Sequence, residues 1–164
     1  MPVLVSDTSV IIDLDRGALV EDLFRLPYEF AVPDLLFARE LAGVLGDQLL
    51  ALGLRVEELS SDELRRAAGL RRERKELSAP DTFAFAIAER RGWPLLAGDG
   101  GIRRLARDTQ VECYGVLWVC DQFEGGRHVP APRLHAGLTA ISTHPRCRLP
   151  ALEVRIRLER YAGG

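Results

Sequence analysis

Short apolar runs alternate with segments of helical spacing over the first 115 residues, and this alternation restricts the fold more than any other feature. The runs are Val3–Val5, Tyr28–Val32, Leu54–Leu59, Pro94–Ala97 and Val111–Tyr114. Strands that are apolar throughout and separated by helices are typical of a parallel sheet covered on both faces. We therefore predict an α/β protein, a three-layer α/β/α sandwich with a central parallel sheet.

Capping signals mark where several of the intervening helices begin and end. Ser60 with Glu63, and Ser78 with Asp81, have the spacing of a capping box. Gly17 and Gly92 follow apolar periodic segments and predict helix ends. A further helix is predicted to begin at Pro33 and to carry Leu36, Phe37, Leu41, Val44 and Leu45 on one face. A helix through Leu19, Leu23 and Leu26 is predicted before the second strand.

The segment after the fifth run predicts a helical extension. Leu134, Leu138 and Ile141 have helical spacing, whereas residues 154–158 alternate like a strand but consist of good helix formers. We favour helix for both segments. The predicted organisation is an α/β domain over residues 1–125 and a helical extension over residues 126–164, packed on the domain or on a dimer partner.

Composition narrows the class of protein. The chain has 164 residues, 47% of them hydrophobic, a net charge of −2 and three cysteines. The odd cysteine count indicates free thiols in a reducing compartment. No signal-peptide pattern begins the chain, and charges interrupt every apolar run before the roughly 18 residues of a membrane span. We expect a cytoplasmic protein that does not contact membranes and binds phosphates through a local basic face.

Four acids fall where a parallel sheet places its ligands. Asp7 and Asp99 each follow an apolar run, Asp81 begins the helix before the fourth run, and Glu40 lies on the helix after the second. Ligands of open parallel sheets bind beyond the carboxyl ends of the strands. Two carboxylates about 5 Å apart repel by roughly 3 kcal/mol at an effective dielectric of 20, so a cluster favours a bound cation. Oxygen-only ligands favour Mg²⁺ or Mn²⁺ over zinc.

The same acids lie in four sequence blocks that resemble the PIN domain, the nuclease fold of VapBC-type toxins and of several RNA-processing factors. The blocks are Val5–Leu14 (VSDTSVIIDL), Val32–Leu41 (VPDLLFAREL), Leu77–Asp81 (LSAPD) with Ala84, Ile87, Ala88 and Gly92, and Leu95–Ala106 (LLAGDGGIRRLA). They occur in order between Val3 and Val119. Ala97 departs from the family, which usually has Thr or Ser there.

This resemblance implies a specific fold and chemistry. It implies a five-stranded parallel sheet in the order 3-2-1-4-5, with Asp7, Glu40, Asp81 and Asp99 as metal ligands and catalytic residues. It also implies Mg²⁺- or Mn²⁺-dependent cleavage of RNA, with one or two ions. The protein would then be the toxin of a VapBC-type pair, blocked by a small antitoxin and paired as a homodimer, or a housekeeping RNA-processing nuclease.

Structural interpretations compete with the functional ones. Asp7 caps a helix, Asp81 completes a capping box, Asp99 fits a turn, and Asp34 competes with Glu40. Asp13 and Asp15 are interpreted as solvated helix charges. Two further rivals are an inactive PIN scaffold and an aspartyl phosphatase, although the phosphatase Asp-x-Asp motif is replaced by Asp7-Thr8-Ser9.

Basic residues near the acids are candidates for binding the RNA backbone. A basic stretch directly precedes the third acidic block, and further arginines follow Asp99. The candidates are Arg71, Arg72, Arg74, Lys75 and Arg103. A solvated helix face is the alternative interpretation. His135, His144 and Cys147 lack the spacing and the fourth ligand of a structural zinc site.

Overall fold

The central sheet has five parallel strands in the order β3-β2-β1-β4-β5. The computed structural model describes residues 1–98 and 100–164. Its strands are β1 (Val3–Ser6), β2 (Glu29–Pro33), β3 (Arg55–Glu57), β4 (Leu95–Leu96) and β5 (Cys113–Tyr114). At the centre, Val5 of β1 is in register with Ala31 on one side and Leu95 on the other. The predicted α/β class and the strand order implied by the resemblance are both confirmed.

Helices connect the strands and cover both faces of the sheet. They are α1 (Thr8–Arg16), α2 (Val20–Leu23), α3 (Asp34–Leu36), α4 (Val44–Leu52), α5 (Ser61–Glu73), α6 (Ala79–Arg91), α7 (Gly100–Asp108), α8 (Val116–Gly125), α9 (Ala131–Ser142) and α10 (Ala151–Ala162). Both predicted capping boxes are present, Ser60 with Glu63 before α5 and Ser78 with Asp81 before α6. The helical extension is confirmed as α9 and α10. No helix within the described residues has the length and apolar character needed to cross a bilayer.

The prediction of one continuous helix after Pro33 is wrong. Helix α3 passes into a π-helical segment (Phe37–Leu41), which closes with a hydrogen bond from the Ala42 amide to the Phe37 carbonyl (2.9 Å). Gly43 then adopts a φ of 120°, which favours glycine, and α4 begins at the next residue. Val44 is consequently 91% exposed rather than on the apolar face. The helix predicted through Leu26 is likewise only the single turn α2.

The strands alternate between two hydrophobic clusters, one on each face of the sheet. Leu4 and Leu96 belong to a cluster with residues of α1, α8, α9 and α10. Their neighbours Val5 and Leu95 belong to a second cluster with residues of α5, α6 and α7. Successive side chains of a strand point to opposite faces, so β1 and β4 each contribute to both cores. All four of these side chains are buried.

The extension packs on the first face through close backbone contact and ion pairs. A Cβ atom added to Gly137 of α9 would lie 2.8 Å from the Gly17 carbonyl oxygen at the end of α1. On α10, Arg157 donates to both carboxylate oxygens of Asp121 on α8 (2.8 and 2.7 Å). These contacts fix where the segment between α9 and α10 lies. The division of the chain at residue 125 stays a prediction.

Candidate active site

Asp7 lies directly after β1 and begins helix α1. Its carboxylate accepts hydrogen bonds from the Val10 amide (3.2 Å) and the Ser9 hydroxyl (2.8 Å), while its own amide donates to the Leu96 carbonyl of β4 (2.9 Å). The residue is only 5% exposed. The capping interpretation of Asp7 is therefore correct locally. One carboxylate oxygen caps the helix, and the bond to β4 holds the residue at the carboxyl edge of the sheet.

Burial makes the ionised form of Asp7 costly. Desolvation, and to a lesser extent the Asp81 carboxylate, raise its pKa from 3.8 to about 6, although hydrogen bonds from Ser9, Val10 and the Gly98 backbone act in the opposite direction. No cationic side chain of the described residues is among the groups that set this pKa. A carboxylate in this environment gains strongly from a cation that enters beside it.

Asp81 faces the same cleft from helix α6. Its carboxylate accepts from the Ser78 amide and its own amide donates to the Ser78 hydroxyl, both at 3.2 Å. This capping box fixes the backbone and side chain of Asp81 at the third position of the helix. Both acids line the same cleft, and the charge of Asp81 raises the pKa of Asp7. The structure thus brings together the first and third predicted acids.

Glu40 reaches the cleft from the π-helical segment. Its Oε2 atom accepts a short hydrogen bond from the Thr8 hydroxyl, which follows Asp7 in α1. Thr8 is buried, whereas Glu40 is exposed at the rim. π-Helical turns inside helices occur frequently at functional sites. Asp34, the rival of Glu40, instead accepts a hydrogen bond from the adjacent Leu35 amide.

The acids share one cleft of about 830 Å³ at the carboxyl edge of the sheet. Its walls come from the start of α1, the π-helical segment, the start of α6 and the segment after α9. Among the described residues, five carboxyl side chains line it, those of Asp7, Asp13, Glu40, Glu76 and Asp81. Three guanidinium groups of the described residues also line it, those of Arg16, Arg146 and Arg148. The carboxylates outnumber the cations, so the cleft favours a further positive charge.

The donor chemistry of the cleft fits a hard divalent cation. Among the described residues that line the cleft, Asp7 and Asp81 offer carboxylate oxygens, Cys147 contributes one thiol, and there is no imidazole. Hard ions prefer carboxylate oxygens. Within residues 1–98 and 100–164, no three Asp, Glu, His or Cys side chains are grouped closely enough to hold a metal ion. Asp99, the fourth predicted ligand, lies outside the described residues. The complete ligand set therefore stays a prediction.

The five basic residues predicted to bind RNA do not line the acidic cleft. Arg74 pairs with Asp108 (3.0 Å), and Arg103 donates to the Ala97 carbonyl (3.3 Å) at the end of β4. Arg71, Arg72 and Lys75 are exposed. Their role in RNA binding stays a prediction.

Other cleft residues were missed by sequence reasoning. Asp13 was interpreted as a solvated helix charge, but it is partly buried, pairs with Arg16 (3.2 Å) and lines the cleft. Burial raises the pKa of Asp13, and the Arg16 guanidinium lowers it. Arg146 and Arg148 were also missed. Their only signal in the sequence is a basic stretch, HPRCRLP, enclosed by two prolines.

Comparison with known proteins agrees with this architecture. The family model DUF3368, described as a PIN domain, matches residues 3–160 and therefore also covers helices α9 and most of α10. No curated protein matches the chain. PIN domains are generally nucleases and typically use divalent metals. Because the model matches nearly the whole sequence, this chain belongs to the PIN-domain family.

Proposed function

We propose that this protein is a metal-dependent endoribonuclease that hydrolyses RNA phosphodiester bonds. The observation that carries the proposal is the pairing of Asp7 and Asp81 in one cleft at the carboxyl edge of the sheet. Capping bonds hold each carboxylate at the start of its own helix, so the two charges stay in the cleft and repel each other unless a cation binds there. Family membership supports nuclease chemistry, and the oxygen donors support Mg²⁺ or Mn²⁺.

In this proposal Asp7 and Asp81 hold the cation, together with Asp99 on sequence grounds. A bound divalent cation lowers the pKa of water and offsets the charge that develops on the phosphate. The hydrogen bonds from Ser9 and Val10 hold the Asp7 carboxylate in one orientation, so that binding a cation requires little rearrangement. The Ser78 capping box does the same for Asp81.

Glu40 is proposed to orient the attacking water. The Thr8 hydroxyl holds its Oε2 atom, and Oε1 accepts the proton that the water loses. The water oxygen forms a bond to phosphorus while the bond between phosphorus and the 3′ oxygen breaks, and the departing 3′ oxygen takes a proton from solvent. The products are a 3′-hydroxyl and a 5′-phosphate. No protein nucleophile takes part.

Cleavage of a mixed labelled RNA pool tests this function. Purified protein would be assayed with Mn²⁺, Mg²⁺ or EDTA, beside Asp7→Asn and Asp81→Asn. Asp15→Asn is the matched control, since Asp15 lies on the same helix as Thr8 but is exposed and outside the cleft. We expect metal-dependent cutting that only the first two variants lose. Folded, metal-supplied protein that leaves all RNA intact would instead support an inactive scaffold.

We further propose that the nuclease acts as the toxin of a VapBC-type pair, on the basis of the resemblance of its four acidic blocks. Induced expression in a bacterial host should then arrest growth, and Asp7→Asn should relieve the arrest. A housekeeping RNA-processing enzyme would instead be tolerated at the same expression level.

A further inference from the structure

The loop between α9 and α10, residues 143–150, forms one wall of the acidic cleft. Residues 145–149 line the cleft together with the acids at the start of α1 and α6. The loop has internal hydrogen bonds. The Cys147 amide donates to the His144 carbonyl (2.9 Å), and the Arg146 amide donates to His144 Nδ1 (3.1 Å). The wall is therefore a defined turn rather than an open linker.

Both helices that flank this loop are anchored on the sheet. Arg133 of α9 pairs with the buried Asp22, and Gly137 contacts the backbone of Gly17. On the other side, α10 is held by the two-point contact of Arg157 with Asp121. The position of the loop relative to Asp7 is thus set by contacts on both sides.

Arg146 and Arg148, which lie in this wall, differ from Arg16, another arginine that lines the cleft. Arg16 is paired with Asp13, whereas Arg146 and Arg148 are exposed and form no ion pair with any described residue. Two guanidinium groups separated by one residue thus remain available in the cleft that the carboxylates line. Guanidinium groups bind phosphate oxygens by paired hydrogen bonds, which makes arginine suited to a nucleic-acid backbone.

We propose that Arg146 and Arg148 bind the RNA phosphates that flank the cleavage site, so that the α9–α10 loop positions the substrate strand. The inference rests on the proposed function. A strand of phosphodiesters fits both halves of the cleft, since one phosphate lies at the acids with their cation while its neighbours bind the arginines. An acidic protein segment fits less well, because its other carboxylates would face Asp13 and Glu76.

This assignment differs from the one that the sequence favoured. Arg71 and Arg72 directly precede the third acidic block, but they lie outside the cleft. Both are exposed and, like Arg146 and Arg148, form no ion pair with a described residue. Arg127 and Arg155 are exposed, lie outside the cleft and form no ion pair with a described residue, and neither is a predicted RNA-binding residue. The double variant Arg127→Ala/Arg155→Ala therefore removes the same charge from elsewhere on the surface. It is a matched control for Arg146→Ala/Arg148→Ala.

The test is binding of a fluorescent single-stranded RNA in EDTA, followed by anisotropy between 0.05 and 0.5 M NaCl. Each phosphate contact contributes about 0.7 to the slope of log K against log salt for a single strand. Loss of two contacts should reduce the slope by about 1.4 and weaken binding about 25-fold at 0.1 M salt. The control variant should stay within about twofold of wild type. Circular dichroism and melting temperature would verify that both variants fold.

Cleavage kinetics with Mn²⁺ separate failure of this inference from failure of the function. If wild type cuts RNA and Arg146→Ala/Arg148→Ala raises KM well beyond the control, the inference is supported. Equal RNA affinity and KM in the two double variants would overturn it and leave the nuclease proposal standing; the arginines would then be open to a protein partner. If wild-type protein neither binds nor cuts RNA, both proposals fall.

Discussion

Replacing Asp7 by Asn tests whether the buried charge of the Asp7 carboxylate destabilises the metal-free protein. Asp7 is 5% exposed, and desolvation raises its pKa from 3.8 to about 6. The Asp7 carboxyl group therefore binds its proton more tightly in the folded state than in the unfolded state, so wild-type stability falls as pH rises from about 4 to about 6. At 1.36 kcal/mol per pH unit, the loss reaches about 3 kcal/mol above pH 6. Asn keeps the helix cap and has no charge to lose.

The assay is urea unfolding in EDTA at a series of pH values from 3.5 to 7.5. The stability of Asp7→Asn minus that of wild type should increase by about 3 kcal/mol over this range, whatever its value at pH 3.5. Asp15→Asn, an exposed substitution outside the cleft, should give a nearly flat difference. A flat difference for Asp7→Asn as well would refute the reasoning, because the Asp7 carboxyl would then titrate alike in the folded and unfolded chains.

Three further outcomes follow from the same geometry. Mn²⁺ affinity should fall about tenfold per pH unit below pH 6, because Asp7 must lose its proton to bind metal; calorimetry at pH 5 and 7 measures this. Glu40→Gln should lower kcat about 10²-fold while its stability stays within about 0.5 kcal/mol of wild type. Thr8→Val, which removes only the hydrogen bond to Glu40, should lower kcat less. An unchanged kcat in both variants would remove Glu40 from the mechanism. Gly137→Ala should destabilise the protein by about 1–3 kcal/mol, because the added methyl group would contact the end of α1. Gly69→Ala in α5, where the added methyl group meets no neighbour, should stabilise the protein by about 0.5–1 kcal/mol. Urea unfolding measures both changes, and a stabilised Gly137→Ala would contradict the close approach of α9 to α1.

The sheet and most helices were predictable because local chemistry and global packing agree. Val5 and Leu95 lie in apolar runs, and they pair at the centre of the sheet. Ser60 and Ser78 cap helices where the sequence places them. Neither signal depends on distant contacts. Strand order required the family resemblance, since periodicity alone does not say which parallel strands are neighbours.

The helix after Pro33 was mispredicted because its ending depends on backbone geometry. Leu41, Val44 and Leu45 continue the helical spacing, yet Gly43 breaks it with a φ of 120°. A Cβ atom on Gly46 would lie 2.5 Å from the Leu41 carbonyl oxygen, so the new helix approaches the π-helical segment closely. Glycine permits both features, but its presence in a sequence does not specify them.

Arg146 and Arg148 show why the basic part of the candidate site was not predicted from the sequence. An acid after a buried strand is placed by the strand itself, so Asp7 was recognisable from its own neighbours. Arg146 has no such local rule, because its position depends on where α9 and α10 pack, more than 130 residues from Asp7 in sequence. The packing that places it rests on contacts such as Gly17 with Gly137, which periodicity does not reveal. A substrate wall built by the end of the chain therefore depends on the whole fold, and substitutions in α9 should alter RNA affinity without touching the acids.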